Sequence, residues 1–464
     1  MTQPRMSDRM STGIPSRNAE TEKLYWSPEE LREWQLDRLR ATVEQAKKSE
    51  FYRDRLKGFK PDSIEDLQTL PLTVKEELRP ASPFGLLAVD PADLFQYHET
   101  FGTTGVPVSS WMTGRDFEVY SDQINQAGAD FGKCDMVLIR FPYAISVPAH
   151  ITAHAAQKRG ACVVHASSRT LIAPHTRVIS LLRKLNCTVF TGIALEGIFL
   201  AETAKLMGYD PAADFPSLRA ICCAGEMLTE ARRERIAALW GAKVYNMYGT
   251  TELGNVAADC PEGSLHASSD HFIFEVLDEE THEPVEDGQM GLLVVTTITR
   301  EATPLVRFLT GDHVILTPGA TCACGRTTPT IRHYGRDLNC FDFGGKRIFT
   351  RDIEERLLAL PPDVIGNIYI YVVKDDEVVV RAESGRDDAA GIRDVVGRVA
   401  SDLGIPFRIE RVPEGDLFDR QKLLDVDPVI KPRYVADWRT DERHPDTLKA
   451  LLSGYHTFVG KGKG

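Results

Sequence analysis

Four short stretches of this chain carry residue types that could hold a nucleotide. Thr100-Phe101-Gly102-Thr103-Thr104-Gly105-Val106-Pro107 brackets two threonines with glycines. The amides and hydroxyls of such a turn can wrap a phosphate chain, although a solvated Gly/Thr turn reads the same way. Tyr245-Asn246-Met247-Tyr248-Gly249-Thr250-Thr251-Glu252 closes a strand-like run. Its glycine opens room, and Thr251 and Glu252 offer a hydroxyl and a carboxylate able to hold magnesium against phosphates. The plainer alternative is a strand-to-helix turn with Glu252 in an ion pair. Arg307-Phe308-Leu309-Thr310-Gly311-Asp312 puts an aspartate in a turn, where it could accept both hydroxyls of a ribose or merely close a hairpin. Gly335-Arg336, then Gly344-Gly345-Lys346 and Asp352-Ile353-Glu354-Glu355, mark either a functional junction or a linker, a loop and a helix start.

Cysteine and histidine form a separate signal. Cys260 and His266 stand six residues apart, and Cys322 and Cys324 follow in TCACGRT. Three thiolates and one imidazole complete a tetrahedral zinc shell, structural because no position is left for water. Packed cysteines are the alternative, since Cys-x-Cys is weak by itself.

These residues need elements to position them. Ser27-Pro28-Glu29-Glu30 is a capping box with proline at the first helical position, followed by apolar Leu36, Leu39, Val43 and Ala46. From Asp135 to Gly249, β-type runs (MVLIRF, ACVVHA, CTVF, LRAICC, KVYNMY) alternate with helical stretches such as Glu230–Trp240, closed by Gly241. That alternation predicts an α/β fold, a parallel sheet with helices on both faces. After Gly263 the chain turns β-rich (FIFEVLD, GLLVVTTIT, DHVIL). A second alternating block follows Gly335, with a helix over Asp352–Ala359, strands IGNIYIYVV and EVVVRAE, a helix near Ile392–Leu403 and strand FRIERV. The expected organisation is a polar, disordered leader over 1–22 and a large N-terminal domain over 23–334, its β-rich part at about 255–334. A small C-terminal α/β domain over 335–464 completes it.

Length, 464 residues, permits two or three domains. A composition 42% hydrophobic and 26% charged describes an ordinary globular protein with a sizeable core. The net charge of −12 argues against nonspecific binding of nucleic acid or anionic membranes. No apolar run reaches the ~20 residues that span a bilayer, and MTQPRMSDRMSTG has no apolar signal core. Nine scattered cysteines suit a reduced compartment, so the expected location is cytoplasmic. Cys134, Cys162, Cys187, Cys222, Cys223 and Cys340 are expected simply to pack in apolar surroundings.

Taken together and in this order, the four motifs resemble the adenylate-forming superfamily of acyl-CoA ligases, adenylation domains and luciferases. The likeness is strongest to its phenylacetate-CoA ligase branch. YWSPEELREWQLDRLRATVEQAKKSEFYRDRL, LPLTVKEELRPASPFGLLAV and ITREATPLVRFLTGDHVIL all look like that branch, and the likeness covers nearly the whole chain.

The resemblance implies roles. The loop with Thr103, Thr104 and Gly105 would close over the β- and γ-phosphates of ATP. Ala224, Gly225 and Glu226, with Asn246, Met247, Tyr248 and Gly249, would line the adenine. Thr251 and Glu252 would stand near the α-phosphate and Mg2+, Asp312 would bind the ribose, and Arg336 would reach it from the domain junction. The acid pocket would lie between Phe141–Ser146, Thr191–Ala194 and Ala224–Met227, and Tyr143, Ile193 and Met227 would make it apolar enough for an aromatic acid. The C-terminal domain of such enzymes is mobile and brings a lysine to the α-phosphate. Lys431, six residues before Asp437, matches it by spacing, with Lys422 as competitor. The Cys260/His266/Cys322/Cys324 set also resembles one seen in the branch.

Two departures stand out. The branch usually has two serines before the first glycine and a lysine after the last, where this chain has Thr100-Phe101 and Val106, and the glycine expected before Lys431 is missing. The implied reaction is ATP-dependent activation of a small, aromatic carboxylic acid, followed by transfer to coenzyme A. A carrier-protein thiol, an amine or nitrite are alternative acceptors, and a catalytically weakened nucleotide-binding protein is a third reading. No nucleic-acid or membrane partner is expected, and the chain would act as a monomer or homodimer.

Overall fold

The near-continuous apolar runs of the central segment become the buried strands of one large sheet. A computed structural model describes residues 20–100, 106–319, 322–424 and 432–452. Strands β1 (Leu94–Glu99) and β2 (Ser109–Thr113) pair as a separate antiparallel ribbon. Five strands then run parallel: β3 (Met136–Ile139), β4 (Cys162–His165), β5 (Val189–Gly192), β6 (Ala220–Ala224) and β7 (Lys243–Thr250). Six more extend them without a break: β8 (Gly254–Asp259), β9 (Leu265–Ala267), β10 (Phe272–Leu277), β11 (Met290–Thr297), β12 (Phe308–Thr317) and β13 (Thr330–Gly335). The order across the sheet is β10-β11-β12-β13-β9-β8-β7-β6-β5-β3-β4, antiparallel from β7 through to β10. The β-rich segment is thus a continuation of the parallel sheet rather than a sheet of its own.

Helices α1 (Pro28–Ala46), α2 (Glu50–Arg53) and α3 (Lys75–Ala81) precede the sheet, and α1 starts at the expected capping box. Helices α4 (Gly114–Asn125) and α5 (Pro148–Lys158) cover one face of the parallel strands, while α6 (His175–Lys184), α7 (Ala194–Leu206) and α8 (Glu230–Trp240) cover the other. The strand period of two sorts the side chains: Val137 and Ile139 join the core under α4 and α5, and Leu138 joins the opposite one. Gly241 closes α8 in the left-handed conformation, φ 62°, as its type predicts.

After Gly335 the chain leaves the large sheet. The ribbon β14 (Cys340–Phe343) and β15 (Lys346–Phe349) turns at Gly344-Gly345 and leads into α9 (Thr350–Leu358). Then come β16 (Tyr369–Val373), β17 (Val378–Glu383), α10 (Ala389–Leu403), β18 (Phe407–Val412) and β19 (Val435–Asp437). The four strands form a second sheet in the order β18-β17-β16-β19.

This smaller unit shares a core with the large one. Phe199 of α7 stacks on Phe418 with ring centroids 4.6 Å apart. Arg232 of α8 is fully buried, donating to Tyr434 Oη at 3.0 Å and to Glu354 Oε2 at 3.0 Å. Glu355 of α9 accepts from the Glu230 and Ala231 amides, both at 3.0 Å, and so caps α8 from across the boundary.

Several expectations need adjustment. The expected leader lies outside the described residues up to residue 19, and Glu22–Tyr25 forms a 3-10 turn. Cys134 and Cys162 are exposed rather than packed. Cys162 opens β4, an edge strand, and an edge leaves one side of a residue to water. Among the described residues no helix is long and apolar enough to cross a membrane.

Candidate active site

The carboxyl ends of β6 and β7 lie side by side, and their turns build one wall of the site. Gly225, just beyond β6, sits at φ +87°, a conformation only glycine adopts without strain. Gly249 lies against the next strand so closely that a Cβ there would stand 2.3 Å from the Gly254 carbonyl oxygen. The glycine in this motif therefore lets β7 and β8 approach at the turn, rather than only opening room for a ligand.

Thr251 and Glu252 follow. Glu252 is buried, and the Lys75 ammonium lies 2.7 Å from its Oε1. Burial pushes this carboxyl up, but the Lys75 charge and hydrogen bond outweigh it and hold Glu252 below the usual carboxylate range. Arg300 donates to the Glu252 carbonyl and, at 2.8 Å, to Ser110 Oγ, which ties the turn to β2.

Asp312 of β12 is buried and fully engaged. Tyr248 Oη donates to Oδ2 at 2.7 Å, and Arg336 donates through Nε to Oδ1 and through Nη2 to Oδ2, both at 2.9 Å. His333 Nε2 lies 3.2 Å from Oδ1. Burial alone would raise this carboxyl; the Arg336 guanidinium, with His333, reverses that and keeps it ionised far below the ordinary value. Three of the expected residues, Tyr248, Asp312 and Arg336, thus meet in one constellation. A carboxylate has about four acceptor positions, so a ribose could be taken up here only by exchange with a present donor. Arg336 is the candidate for that exchange, because its side chain is 40% exposed where the chain leaves the large sheet.

A cavity of about 120 Å3 runs between α4, α5 and the ends of the parallel strands, with Phe141, Ile151, Ile193, Ala224 and Met247 among its walls. Gly225 and Gly249, expected at the adenine, and Thr251, expected near the α-phosphate, line it too. Of the three residues expected to bind the acid, Ile193 lines the cavity, whereas Tyr143 and Met227 do not. Tyr143 hydrogen-bonds His165 through its hydroxyl, and its carbonyl lies 2.8 Å from His150 Nε2. Met227 is buried at the β6 turn. Glu226 faces away from this cavity: its Oε1 accepts from the Leu195 amide at 2.5 Å and its Oε2 lies 3.4 Å from Arg232. Asn246 and His333 line a second, polar cavity of about 580 Å3, shared with Glu230, Arg332 and Arg351.

Thr103, Thr104, Gly105 and Lys431 lie outside the described residues. Lys422 pairs with Asp419 at 3.8 Å, on a half-exposed turn. Sequence reasoning missed Lys75, Arg300 and His333. Nothing local marks Lys75 or Arg300, and the one signal for His333 is its place two residues before Gly335.

The cysteine/histidine set does converge. The four ligand atoms of Cys260, His266, Cys322 and Cys324 lie within 4.8 Å of one another. Cys260 Sγ and Cys322 Sγ are 3.7 Å apart, and Cys324 Sγ is 3.4 Å from His266 Nε2. A tetrahedral zinc with bonds of ~2.3 Å to sulfur and ~2.0–2.1 Å to nitrogen needs edges of about 3.5–3.8 Å, so the set fits that ion. His266 Nδ1 lies 2.9 Å from the Thr328 carbonyl, the outer contact that turns Nε2 toward the thiols.

Comparison with known proteins agrees with this geometry. The profile of the AMP-binding enzyme family matches residues 33–299. The phenylacetate-coenzyme A ligase of Thermus thermophilus is 31% identical over 404 residues, covering 84% of this chain and 86% of that one. That of Aromatoleum evansii is 28% identical over 423 residues, covering 84% and 93%. The crystal structure of 2-hydroxyisobutyryl-CoA ligase in its postadenylation state superposes with a TM-score of 0.80 at 21% identity, over 96% of this chain and 97% of that one. The chain belongs to the AMP-binding enzyme family, in the phenylacetate-CoA ligase-like branch of the adenylate-forming superfamily. It is an AMP-forming acid ligase.

Proposed function

We propose that the protein joins a small, aromatic carboxylic acid to coenzyme A. The acid carboxylate attacks the α-phosphorus of ATP, pyrophosphate leaves, and the acyl-adenylate then yields its acyl group to the coenzyme A thiol with release of AMP. The observation that carries this reading is the apolar cavity opening onto Gly225, Gly249 and Thr251. Its volume of about 120 Å3 approaches the ~150 Å3 that accommodates one benzene ring, which suits an acid with a single ring. The relatives named above are phenylacetate-coenzyme A ligases, which points the same way.

Roles follow from position. The polar cavity beside Asn246 and His333 takes the nucleotide, and its volume lies within the ~300–1,000 Å3 of ordinary ligand sites. Asp312 exchanges Arg336 for the ribose hydroxyls. Thr103, Thr104 and Gly105 wrap the outer phosphates, and Lys431 offsets charge developing at the α-phosphate. Glu252 and Thr251 hold magnesium, which neutralises phosphate charge, with Lys75 supplying a cation that the glycine-rich loop lacks at Val106. Cys260, His266, Cys322 and Cys324 bind one structural zinc.

A pyrophosphate-release screen over aryl acids, with mass spectrometry of the products with and without coenzyme A, tests the reaction. Pyrophosphate and an acyl-CoA are expected. Pyrophosphate without thioester would redirect the acyl group to another acceptor, and no pyrophosphate with any acid would end the proposal. Elemental analysis of protein purified without chelator should return about one zinc per chain, and a zinc-free preparation would remove the metal assignment.

A further inference from the structure

Arg300, on the connection between β11 and β12, is buried, and among the described residues every group that accepts from it is neutral. It donates to the Glu252 carbonyl, to Ser110 Oγ at 2.8 Å and to the Trp111 carbonyl at 3.4 Å. Its Nε has no hydrogen-bond partner. Burying a charge without a counter-charge is costly. Two other buried arginines meet carboxylates, Arg140 at Glu196 and Arg232 at Glu354. Arg235 instead gathers carbonyls, those of Leu358 and Ile365 at 2.9 and 2.6 Å, and thereby ties two segments of main chain together. Arg300 is of this second kind, a clamp on the backbone rather than half of an ion pair.

The segments it joins both belong to the site. The Glu252 carbonyl accepts from Arg300 and, at 3.4 Å, from Tyr120 Oη, whose ring centroid lies 5.3 Å from the guanidinium. The Glu252 carboxylate is held separately, by Lys75 of α3. Ser110 and Trp111 lie on β2, opposite His98 and Tyr97 of β1, and the connection of this ribbon carries the glycine-rich stretch. The guanidinium therefore fixes the distance between the Glu252 turn and the ribbon. Its own segment is anchored independently: Asp116 of α4 accepts from the Glu301 and Ala302 amides at 2.7 and 2.9 Å, and the Thr303 hydroxyl donates to the Trp111 carbonyl at 3.2 Å.

We infer that Arg300 is a positioning residue, which holds the Glu252 main chain against β2 and so sets where the carboxylate meets magnesium and the outer phosphates of ATP. The inference rests on the assignment of Glu252 to magnesium made above and adds the residue that places it. A two-armed guanidinium suits the task, because its donors are fixed relative to one another in a plane, whereas an ammonium has no such fork.

The test is calorimetry of nucleotide binding without acid, so that no turnover intervenes. Arg300→Met should fold, because removing this cation strands no buried opposite charge and the Asp116 and Thr303 bonds remain. It should weaken MgATP at least about tenfold, the worth of one charge-assisted hydrogen bond, and leave AMP, which lacks the outer phosphates, within about twofold of wild type. Ser110→Ala removes one arm and should act in the same direction, less strongly. Arg300→Lys keeps the charge without the fork and should stay near Arg300→Met. Glu252→Gln is the reference and should weaken MgATP as well. Equal loss for MgATP and AMP, full recovery in Arg300→Lys, or wild-type MgATP affinity in Arg300→Met while Glu252→Gln loses it, overturns the inference and leaves the magnesium assignment standing. Wild-type MgATP affinity in Glu252→Gln overturns both. Should Arg300→Met fail to fold, Ser110→Ala decides: weakened MgATP with AMP retained supports the inference, and unchanged MgATP overturns it.

Discussion

Arg140, Glu196 and His175 form one buried cluster beside the apolar cavity, and Arg336, Asp312 and His333 form another on β12 and at the end of β13, where the chain leaves the large sheet. Both contain an arginine, a carboxylate and a histidine, and in both the arginine holds the carboxyl below its ordinary range against the effect of burial. They differ in who supplies the partners. Arg140 and Glu196 are both sealed, and His175 and the carbonyls of Ala166 and Ala173 that they meet all precede Gly335 in the chain. Asp312 is equally buried, but Arg336 stands partly in solvent at the point where the chain leaves the sheet. The first cluster is closed to solvent, whereas the second has one partner that solvent reaches. Burial and charge of the carboxylate are therefore alike in the two ion pairs; the exposure of the arginine is what differs.

The comparison can be broken in order of expected effect. Glu196→Leu leaves the Arg140 charge unpaired in the interior and should cost roughly 3–5 kcal/mol of stability, measured by denaturant unfolding. ATP affinity of the protein that remains folded should be retained, and a loss of affinity without a loss of stability would place Glu196 in the site. Lys431→Ala tests the proposed catalytic lysine. It should slow adenylate formation by ~10² or more while thioester formation from preformed acyl-adenylate stays near wild type. Equal loss in both assays would make Lys431 a support of the fold.

Asp312→Ala should lower ATP affinity at least about tenfold by calorimetry, since each charge-assisted bond to the ribose is worth roughly 1.5–3 kcal/mol. Unchanged affinity would mean that Asp312 serves only its protein partners, Tyr248, His333 and Arg336. The smallest effect at working pH concerns acid. Both carboxyls are depressed in the folded state, so their stabilisation is full above the ordinary range near pH 4 and drains away as pH falls through the folded values. Glu196→Leu should therefore flatten the loss of stability below about pH 4, and an identical acid limb in both proteins would contradict the assignment.

Much of the scaffold could be read from local pattern. Helix α8 occupies Glu230–Trp240 as expected, because propensity, the Thr229 cap and Gly241 agree. The strands of the large sheet follow their apolar runs for the same reason. Boundaries set by long-range contacts were less legible. The run from Ile365 reads as strand, yet β16 begins at Tyr369, with the Gly366 amide donating instead to the Glu383 carbonyl at 2.7 Å. Helix α9 starts at Thr350, two residues before its expected first acidic residue, where the Thr350 hydroxyl bonds the Asn339 carbonyl.

The sequence by itself determined the α/β class, the order of the motifs and the four residues that could surround a zinc, because these depend on spacing along the chain and on side-chain chemistry. Only the tertiary structure decided partnership. Lys75 meets Glu252 across 177 positions, and Glu226 turns toward Arg232 rather than the cavity. The physical reason is that a hydrogen bond or ion pair depends on a few ångströms of separation, and for residues far apart in sequence that separation is set by the packing of the whole sheet.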